Sequence, residues 1–424
     1  MKKSSRNTGL LLIDSHDDGS LIADVKTPGG PVLQLFRSPF KWLFFGNLLS
    51  AIGFELRLMA QSWLILELGG SQVWVGAATG LRVVPFLLAS LVAGVLIDRI
   101  GGRTILLWDR LGLLLLAAAT YAIVALGVAQ VWQVVALSIA VGGVIALGMP
   151  SATTLVSELV PPHQLQTANS LNTLGYSIAR ALGPMGGGVL IATVGLSAPW
   201  VALMLLFALS ALCTLQLPKV EKIPATVSAW TSLAAGFNYV RSHPIVSRVM
   251  LIAFSIIVGS SVMPIWPIYA RDRFDVGGTG FGYMMAAFAL GQGISALYVA
   301  NRRQWTRLST PILCASMIWG TTMIAFGFST SYPLTLAVLF VMGTAVPLWV
   351  TSVVTILQTQ TDRPMLGRVM AVYAMSMQVG MIGALFGAWL GQLIGNDWML
   401  LLTGSSFVLL NFGIIFSSRD MRQI

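Results

Sequence analysis

The chain has 424 residues, of which 56% are apolar and 9% charged, and its mean hydropathy is +0.82. A soluble domain carries about 25% charged residues, so the composition excludes one and leaves room for roughly a dozen membrane spans of about 20 residues. The net charge of +10 raises a nucleic-acid partner, which the placement of that charge excludes.

Residues 1–38 are polar and broken by Pro28, Gly29, Gly30 and Pro31. Their one apolar run, Leu10 to Ile13, is too short for the core of a signal peptide. They read as a flexible cytoplasmic tail. Twelve apolar runs follow, at about 40–68, 72–97, 104–128, 131–156, 167–193, 198–217, 246–270, 280–300, 310–328, 333–357, 369–394 and 397–417. The expected fold is an all-α membrane protein with two related bundles of six helices. The first occupies 39–217 and the second 246–417, with a polar cytoplasmic loop at 218–245 and a short tail at 418–424. Leu159-Val160-Pro161-Pro162-His163-Gln164-Leu165 before span five is similar to Thr361-Asp362-Arg363-Pro364-Met365-Leu366-Gly367 before span eleven. Paired halves around a midplane site are a common plan for carriers.

With the N-terminus inside, Lys and Arg outside the spans fall almost wholly on one side. Nine precede the middle of span three (Lys2, Lys3, Arg6, Lys26, Arg37, Lys41, Arg99, Arg103 and Arg110). Eleven more follow span six: Lys219, Lys222, Arg241, Arg248, Arg302, Arg303, Arg307, Arg363, Arg368, Arg419 and Arg422. Arg271 and Arg273 alone fall on the other side. The bias places both termini in the cytoplasm of a bacterial inner membrane. The basic charge is thus a topology device that meets lipid, and nucleic acid is excluded.

Cys213 and Cys314 lie in apolar runs, so neither a disulfide nor a metal site is expected. His16, His163 and His243 sit in the tail or loops without ligand spacing, and no phosphate-binding G-x-x-x-x-G-K-[ST] loop exists. The chain is therefore expected to be neither an enzyme nor an ATP-driven pump, to need no cofactor, and to act as a monomer.

Four charges inside apolar runs carry the functional reading: Glu55, Arg57, Arg82 and Arg180. A guanidinium at the bilayer centre costs at least about 2.5–3.5 kcal/mol, so such a residue faces a wet cavity or an ionic partner. Counted from the span ends at about 1.5 Å per residue, all four approach one midplane. At 100° per residue, Asn47, Ser50, Arg57 and Gln61 share a face of span one that is expected to line the cavity. Glu55 points nearly the opposite way. Asn169, Asn172, Thr173, Tyr176 and Arg180 share a face of span five, and Thr344, Thr351, Thr355 and Gln358 mark span ten. Glu55 has two open roles, proton carrier or fixed partner of an arginine. The arginines have two as well: binding anionic cargo with Gln61 and Tyr176, or neutralising Glu55. Pro264 and Pro267 weaken span seven near its periplasmic end, a candidate gate. Met370, Met375, Met377 and Met381 offer adaptable packing on span eleven.

After span two comes Gly94-Val95-Leu96-Ile97-Asp98-Arg99-Ile100-Gly101-Gly102-Arg103, which resembles the G-x-x-x-D-R-x-G-R-R loop of the major facilitator superfamily. Gly102 replaces the first of the paired basic residues. The resemblance implies a conformational latch at Gly94, Asp98, Arg99, Gly101 and Arg103. The equivalent loop of the second half keeps only basic residues. If Gly76 matches Gly282, Asp98 falls on Ala300 and Arg103 on Arg307. On span five, Gly183-Pro184-Met185-Gly186-Gly187-Gly188 resembles the G-P-x-x-G-G signature of the superfamily's exporters. Its counterpart on span eleven is Gly383, Gly387, Gly391 and Gly395, spaced for close helix packing. Gly53 to Ser71 is similar to the enterobactin and macrolide efflux branch. Together these imply a proton-coupled exporter of a small amphiphilic molecule. The alternatives are an importer of a small anionic metabolite and a receptor or scaffold that transports nothing.

Overall fold

The computed structural model describes residues 31–161, 164–218, 229–301 and 307–423; the basic residues of the first 30 positions, Lys219, Lys222, Arg302 and Arg303 lie outside them. Twelve helices are long and apolar enough to cross a membrane among the described residues. They form two six-helix bundles, each closed by its own packing. In the first, span one (Phe40–Glu67) runs against span five (Leu165–Val194) and span six (Ala198–Leu215). In the second, span eight (Gly277–Asn301) packs on span ten (Tyr332–Gln360), and span nine (Ser309–Phe328) packs on span twelve (Asn396–Phe416).

Among the described residues three short helices lie outside the spans, the last of them Arg419–Gln423 in the C-terminal tail. Pro31–Arg37, expected within the flexible tail, is helical and buries Leu35. Ala229–Ser242, in the central loop, packs on the start of span eleven, where a Cβ on Gly236 would lie 2.7 Å from the Arg368 carbonyl. Tyr239 donates to Asp362 Oδ2 at 3.0 Å. These features define the terminal end of the molecule, and the opposite end is the far end.

Three spans are not single helices, and each break has a local cause. Span two divides into Gln72–Gly80 and Val83–Ile100. Pro85 has no N–H to give the Leu81 carbonyl, so the helical ladder fails at Leu81–Arg82. Span four (Val131–Leu159) holds that break: a Cβ on Gly142 would lie 1.9 Å from the Arg82 carbonyl, and Ser138 donates to the Ala78 carbonyl at 2.9 Å. Span seven opens as Pro244–Phe254 and continues as short helical pieces through Arg273. The irregularity begins at Ser255, well before the two prolines expected to cause it. Span eleven divides into Arg363–Val379 and Ile382–Ile394 around Gly380. The Ser260 hydroxyl of span seven takes the Gly380 carbonyl at 2.5 Å, a side chain inserted into the helical ladder.

The halves meet along seams of small residues. Gly76 and Gly80 of span two lie on span eleven, with Gln72 Nε2 donating to the Ala388 carbonyl at 3.0 Å. By the same pattern, Gly282 of span eight lies on Pro184 of span five, and a Cβ on Gly188 would fall 2.6 Å from the Gly278 carbonyl. Arg271 Nη1 reaches the Leu66 carbonyl at 2.8 Å, binding the far end of span seven to the exposed C-terminus of span one. These contacts close the far end. Toward the terminal end, span five exposes Tyr176, Thr173 and Asn169, leaving a polar face open between the halves.

The far seam depends on absent side chains. Gly76→Leu is expected to widen it by several ångströms, since even a Cβ there sits 2.7 Å from that of Ala388; Gly293→Leu, with open space around it, leaves it unchanged. Spin labels at Trp74→Cys and Trp398→Cys, with Cys213 and Cys314 replaced by Ser, read this separation. Equal distances in the two variants would show that the seam does not need its glycines.

Candidate functional site

Span five meets span one where Gly183 removes all side-chain bulk. A Cβ there would lie 2.8 Å from the Cβ of Glu55 and 2.9 Å from the Ile52 carbonyl. One turn earlier stands Arg180, whose Nε lies 3.6 Å from Glu55 Oε1; the two side chains are 51% and 20% exposed. Arg180 Nη1 also donates to Gln292 Oε1 of span eight at 2.6 Å. One guanidinium thus joins a carboxylate of the first half to an amide of the second, within the membrane-spanning core. Arg82 is buried at the break in span two, its guanidinium 5.5 Å from the Phe54 ring centre and within electrostatic range of Glu55. It has no salt-bridge partner among the described residues. Glu55, Arg82 and Arg180 therefore converge, which their matching depths alone left open.

Arg57 does not join them at the opening. It forks onto Gln61 Oε1 with both terminal nitrogens at 2.9 Å and reaches Ser138 Oγ at 3.3 Å. Asn47, Ser50, Arg57 and Gln61 are all buried, so the stripe expected to line the cavity faces the interior of the first bundle. The face predicted from periodicity is real, but the neighbours it meets are spans three and four. On span five Asn169, Thr173, Tyr176 and Arg180 are exposed together, whereas Asn172, expected on the same face, is half-buried with its side-chain oxygen buried and without a partner.

The buried stripe has a purpose the sequence reading missed. Arg110, taken there as a cytoplasmic loop residue, lies inside span three (Gly102–Ala125) and is buried with Asp109. The pair is joined at 2.8 Å, and Arg110 also donates to Ser50 Oγ at 2.5 Å and Asn47 Oδ1 at 2.9 Å. Gly148 of span four makes room for the carboxylate, with a built Cβ only 2.5 Å from Asp109 Cγ. Glu55 is therefore not the sole carboxylate within the spans. Tyr176 lies within electrostatic range of both this pair and Arg180.

At the loop motif, Gly94, Asp98 and Arg99 fall in the helix that ends at Ile100, and the side-chain placement of Gly94 and Asp98 lies outside the described residues. Gly101 turns the chain at φ +97°, a conformation that favours glycine. Arg103 Nη2 caps the end of span six, donating to the Leu215 carbonyl at 2.7 Å, where a cation suits the helix dipole. Gly187 meets Leu56 and Met59 of span one, while Gly383 and Gly387 press on Ile257, Ser260 and Ser261 of span seven. Gly391 sits beside Asn396 and Gln72. Span five runs as one helix through Pro184. Among the described residues no group of three or more metal-ligating side chains occurs.

Residues 30–424 match the model of a family described as transmembrane secretion effector. The chain belongs to that family, within the major facilitator superfamily of membrane transporters. It is 25% identical over 409 residues to the multidrug efflux pump Tap of Mycolicibacterium fortuitum, covering 90% of this chain and 96% of that one. An uncharacterized MFS-type transporter, y4rN of Sinorhizobium fredii, is 30% identical over 339 residues, or 75% of this chain and 79% of the relative. The enterobactin exporter EntS of Escherichia coli O1:K1 is 24% identical over 398 residues, or 89% and 90%. Among solved structures, a POT family transporter superposes with a TM-score of 0.74 at 12% identity, covering 90% of this chain and 96% of its own. A D-xylose-proton symporter gives 0.68 at 13% identity, covering 93% and 100%. The chain is thus a multi-pass membrane protein that transports a small molecule, and it is not an enzyme.

Removing one partner of the buried Asp109–Arg110 pair strands the other charge. Arg110→Met is expected to lower stability by about 3–5 kcal/mol. Asp109→Leu combined with Arg110→Met should recover most of that loss, because nothing charged is left behind. Thermal unfolding of the purified protein reads both; a double variant no more stable than the single would show that the network acts by more than charge pairing.

Proposed function

We propose that the chain is a proton-coupled exporter of a small amphiphilic molecule, working by alternating access in a bacterial inner membrane with both termini in the cytoplasm. The observation that carries this reading is the Glu55–Arg180–Gln292 chain across the two halves. A proton on Glu55 would cancel its charge and release Arg180, and Arg180 holds the opposite half. Protonation and the contact between halves are thereby linked through one side chain. Similarity to an efflux pump and an exporter supports the outward direction. The basic side chains at the terminal end support its placement in the cytoplasm.

Cargo that displaces Arg180 from Glu55 through a donor or cationic group competes with the proton for the same carboxylate. Competition gives antiport, which an inward proton gradient drives as export. A second reading is favoured by Arg82, a buried guanidinium with no salt-bridge partner among the described residues. Anionic cargo held by the arginines would bind better once Glu55 is neutral, so proton and cargo would travel together and the same gradient would drive import.

The sign of the pH dependence separates the two. For the exporter, cargo affinity falls as pH drops through the titration of Glu55; for anion symport it rises. Glu55→Gln is expected to remove the dependence and to abolish accumulation against a gradient in proteoliposomes, while exchange of labelled cargo persists. Accumulation that survives in this variant under a proton gradient would make Glu55 structural. Arg180→Ala is expected to weaken cargo binding itself. Asp98→Asn should slow transport without changing affinity, and a reporter fused after Arg422 should be active only in the cytoplasm. Unchanged transport would detach the loop from the cycle, and periplasmic activity would overturn the orientation.

A further inference from the structure

The breaks in spans seven and eleven open onto one cavity of about 80 Å³ inside the second bundle. Its walls include Ile256 and Ser260 of span seven, Trp319 of span nine, Trp349 of span ten, Met377 of span eleven and Phe407 of span twelve. Both breaks fall near the midpoints of their spans, and discontinuous helices near the midplane are where transporters of paired-half design place their binding sites. Ser260 spends its hydroxyl on the Gly380 carbonyl, and Trp319 Nε1 donates to the Gly259 carbonyl at 3.3 Å. Trp349 is different. It is 5% exposed, lines the cavity, and its indole N–H has no partner. A buried donor left unmade costs about 1–3 kcal/mol, so an acceptor supplied from outside gains by filling it.

The corresponding place in the first bundle, between spans one, three, four and six, is plugged. Arg57, Gln61, Thr120, Ser138 and Trp200 leave about 10 Å³ there, a water-sized gap. Two halves of one plan thus differ at one position: a polar plug in the first, where the Trp200 indole N–H is likewise without a partner, and an apolar space beside Trp349 in the second. Val346, Val350 and Met377 on its wall are only half-buried, so the space is not sealed.

We propose that this cavity is a cargo subsite that takes a single aromatic or heteroaromatic ring carrying a hydrogen-bond acceptor, with Trp349 Nε1 as the donor. Aromatic walls and pliable methionine suit a ring in varied settings. The inference rests on the reading of the chain as a carrier of amphiphilic molecules and assigns their apolar part to the second half, opposite the charged chain of the first. A cargo bridging the two sites would touch both halves at once.

The test uses the full chain in nanodiscs, with fluorobenzene and fluoropyridine as probes and fluorine NMR line broadening as readout, empty nanodiscs being subtracted. Wild-type protein is expected to bind both and to prefer fluoropyridine about fivefold, the worth of one hydrogen bond. Trp349→Phe should erase the preference while keeping fluorobenzene. Ala345→Leu should fill the space and abolish both, and Met377→Phe, at a half-buried position on the wall, does the same where Ala345→Leu fails to fold. No preference in the wild type, or binding indifferent to the filling variants, overturns the subsite. Neither outcome depends on transport, so a failure here is distinguishable from a failure of the exporter reading, which the accumulation assay tests alone.

Discussion

Charge inside an apolar bundle is tolerated only where a partner or water meets it, and that constraint organises the first half of this protein. Asp109 and Arg110 answer each other, and Asn47 and Ser50 accept from the guanidinium's terminal nitrogens, while Arg110 Nε and Asp109 Oδ1 are buried without a partner. Arg57 is answered by Gln61 and Ser138. Glycine is what lets these groups sit so deep: Gly142 admits the Arg82 backbone, Gly148 the Asp109 carboxylate, and Gly183 the shoulder of Glu55. Beside the buried Asp109–Arg110 pair and the buried Arg57 and Arg82, Glu55 and Arg180 form the partly exposed pair at the opening. The interior network is what allows so few side chains to be reserved for function.

The second half follows another rule. Its interior holds a long apolar cluster around Val249, Ile252, Trp349 and Val353, and its irregularities are in backbone instead of charge. Serine hydroxyls repair the broken ladders: Ser260 serves Gly380, and Ser255 accepts from Asn411 while donating to the Ile252 carbonyl. Packing of Gly380, Gly383 and Gly387 against span seven then locks the two broken spans together. Charge reappears at the far end, where Arg273 pairs with Asp397 at 3.0 Å and Tyr269 donates to the same carboxylate. One half carries titratable chemistry and the other carries shape.

What could be read from the chain beforehand divides along physical lines. Hydropathy and turn residues located all twelve spans, because a bilayer demands long apolar runs and punishes interruptions. The equal depth of Glu55 and Arg180 was legible, but their convergence in the plane of the membrane was not, because depth along a helix does not say which helices are neighbours. Periodicity grouped Asn47, Ser50, Arg57 and Gln61 correctly but could not say whether that face met water or another helix. Arg110 was misplaced because it follows a basic loop within two turns, and an adjacent Asp–Arg pair looks like a loop end. Its signal was present in Gly148, whose role becomes visible only when spans three and four are brought together. Gln292, an amide midway along the apolar run of span eight, went unread; its depth was the signal that could have pointed to Arg180.

The arrangement also constrains how the halves can move. The far-end seams bring backbone to backbone through Gly76, Gly188 and Gly282, so their contacts are made or lost as a unit when one bundle rocks against the other. Arg271 and Gln72 hold the same end by hydrogen bonds to helix carbonyls in the opposite half, which water can replace at small net cost. Midway along the seam, Arg180 holds Gln292 and Glu55 at once through different nitrogens, as Arg271 holds Leu66 and Asp272 at the far end. On the proposed coupling, a change in the charge on Glu55, or a cargo group arriving beside it, would alter this contact midway along the seam. On that proposal the trigger lies where the lever arm is short, and the glycine seams carry the displacement.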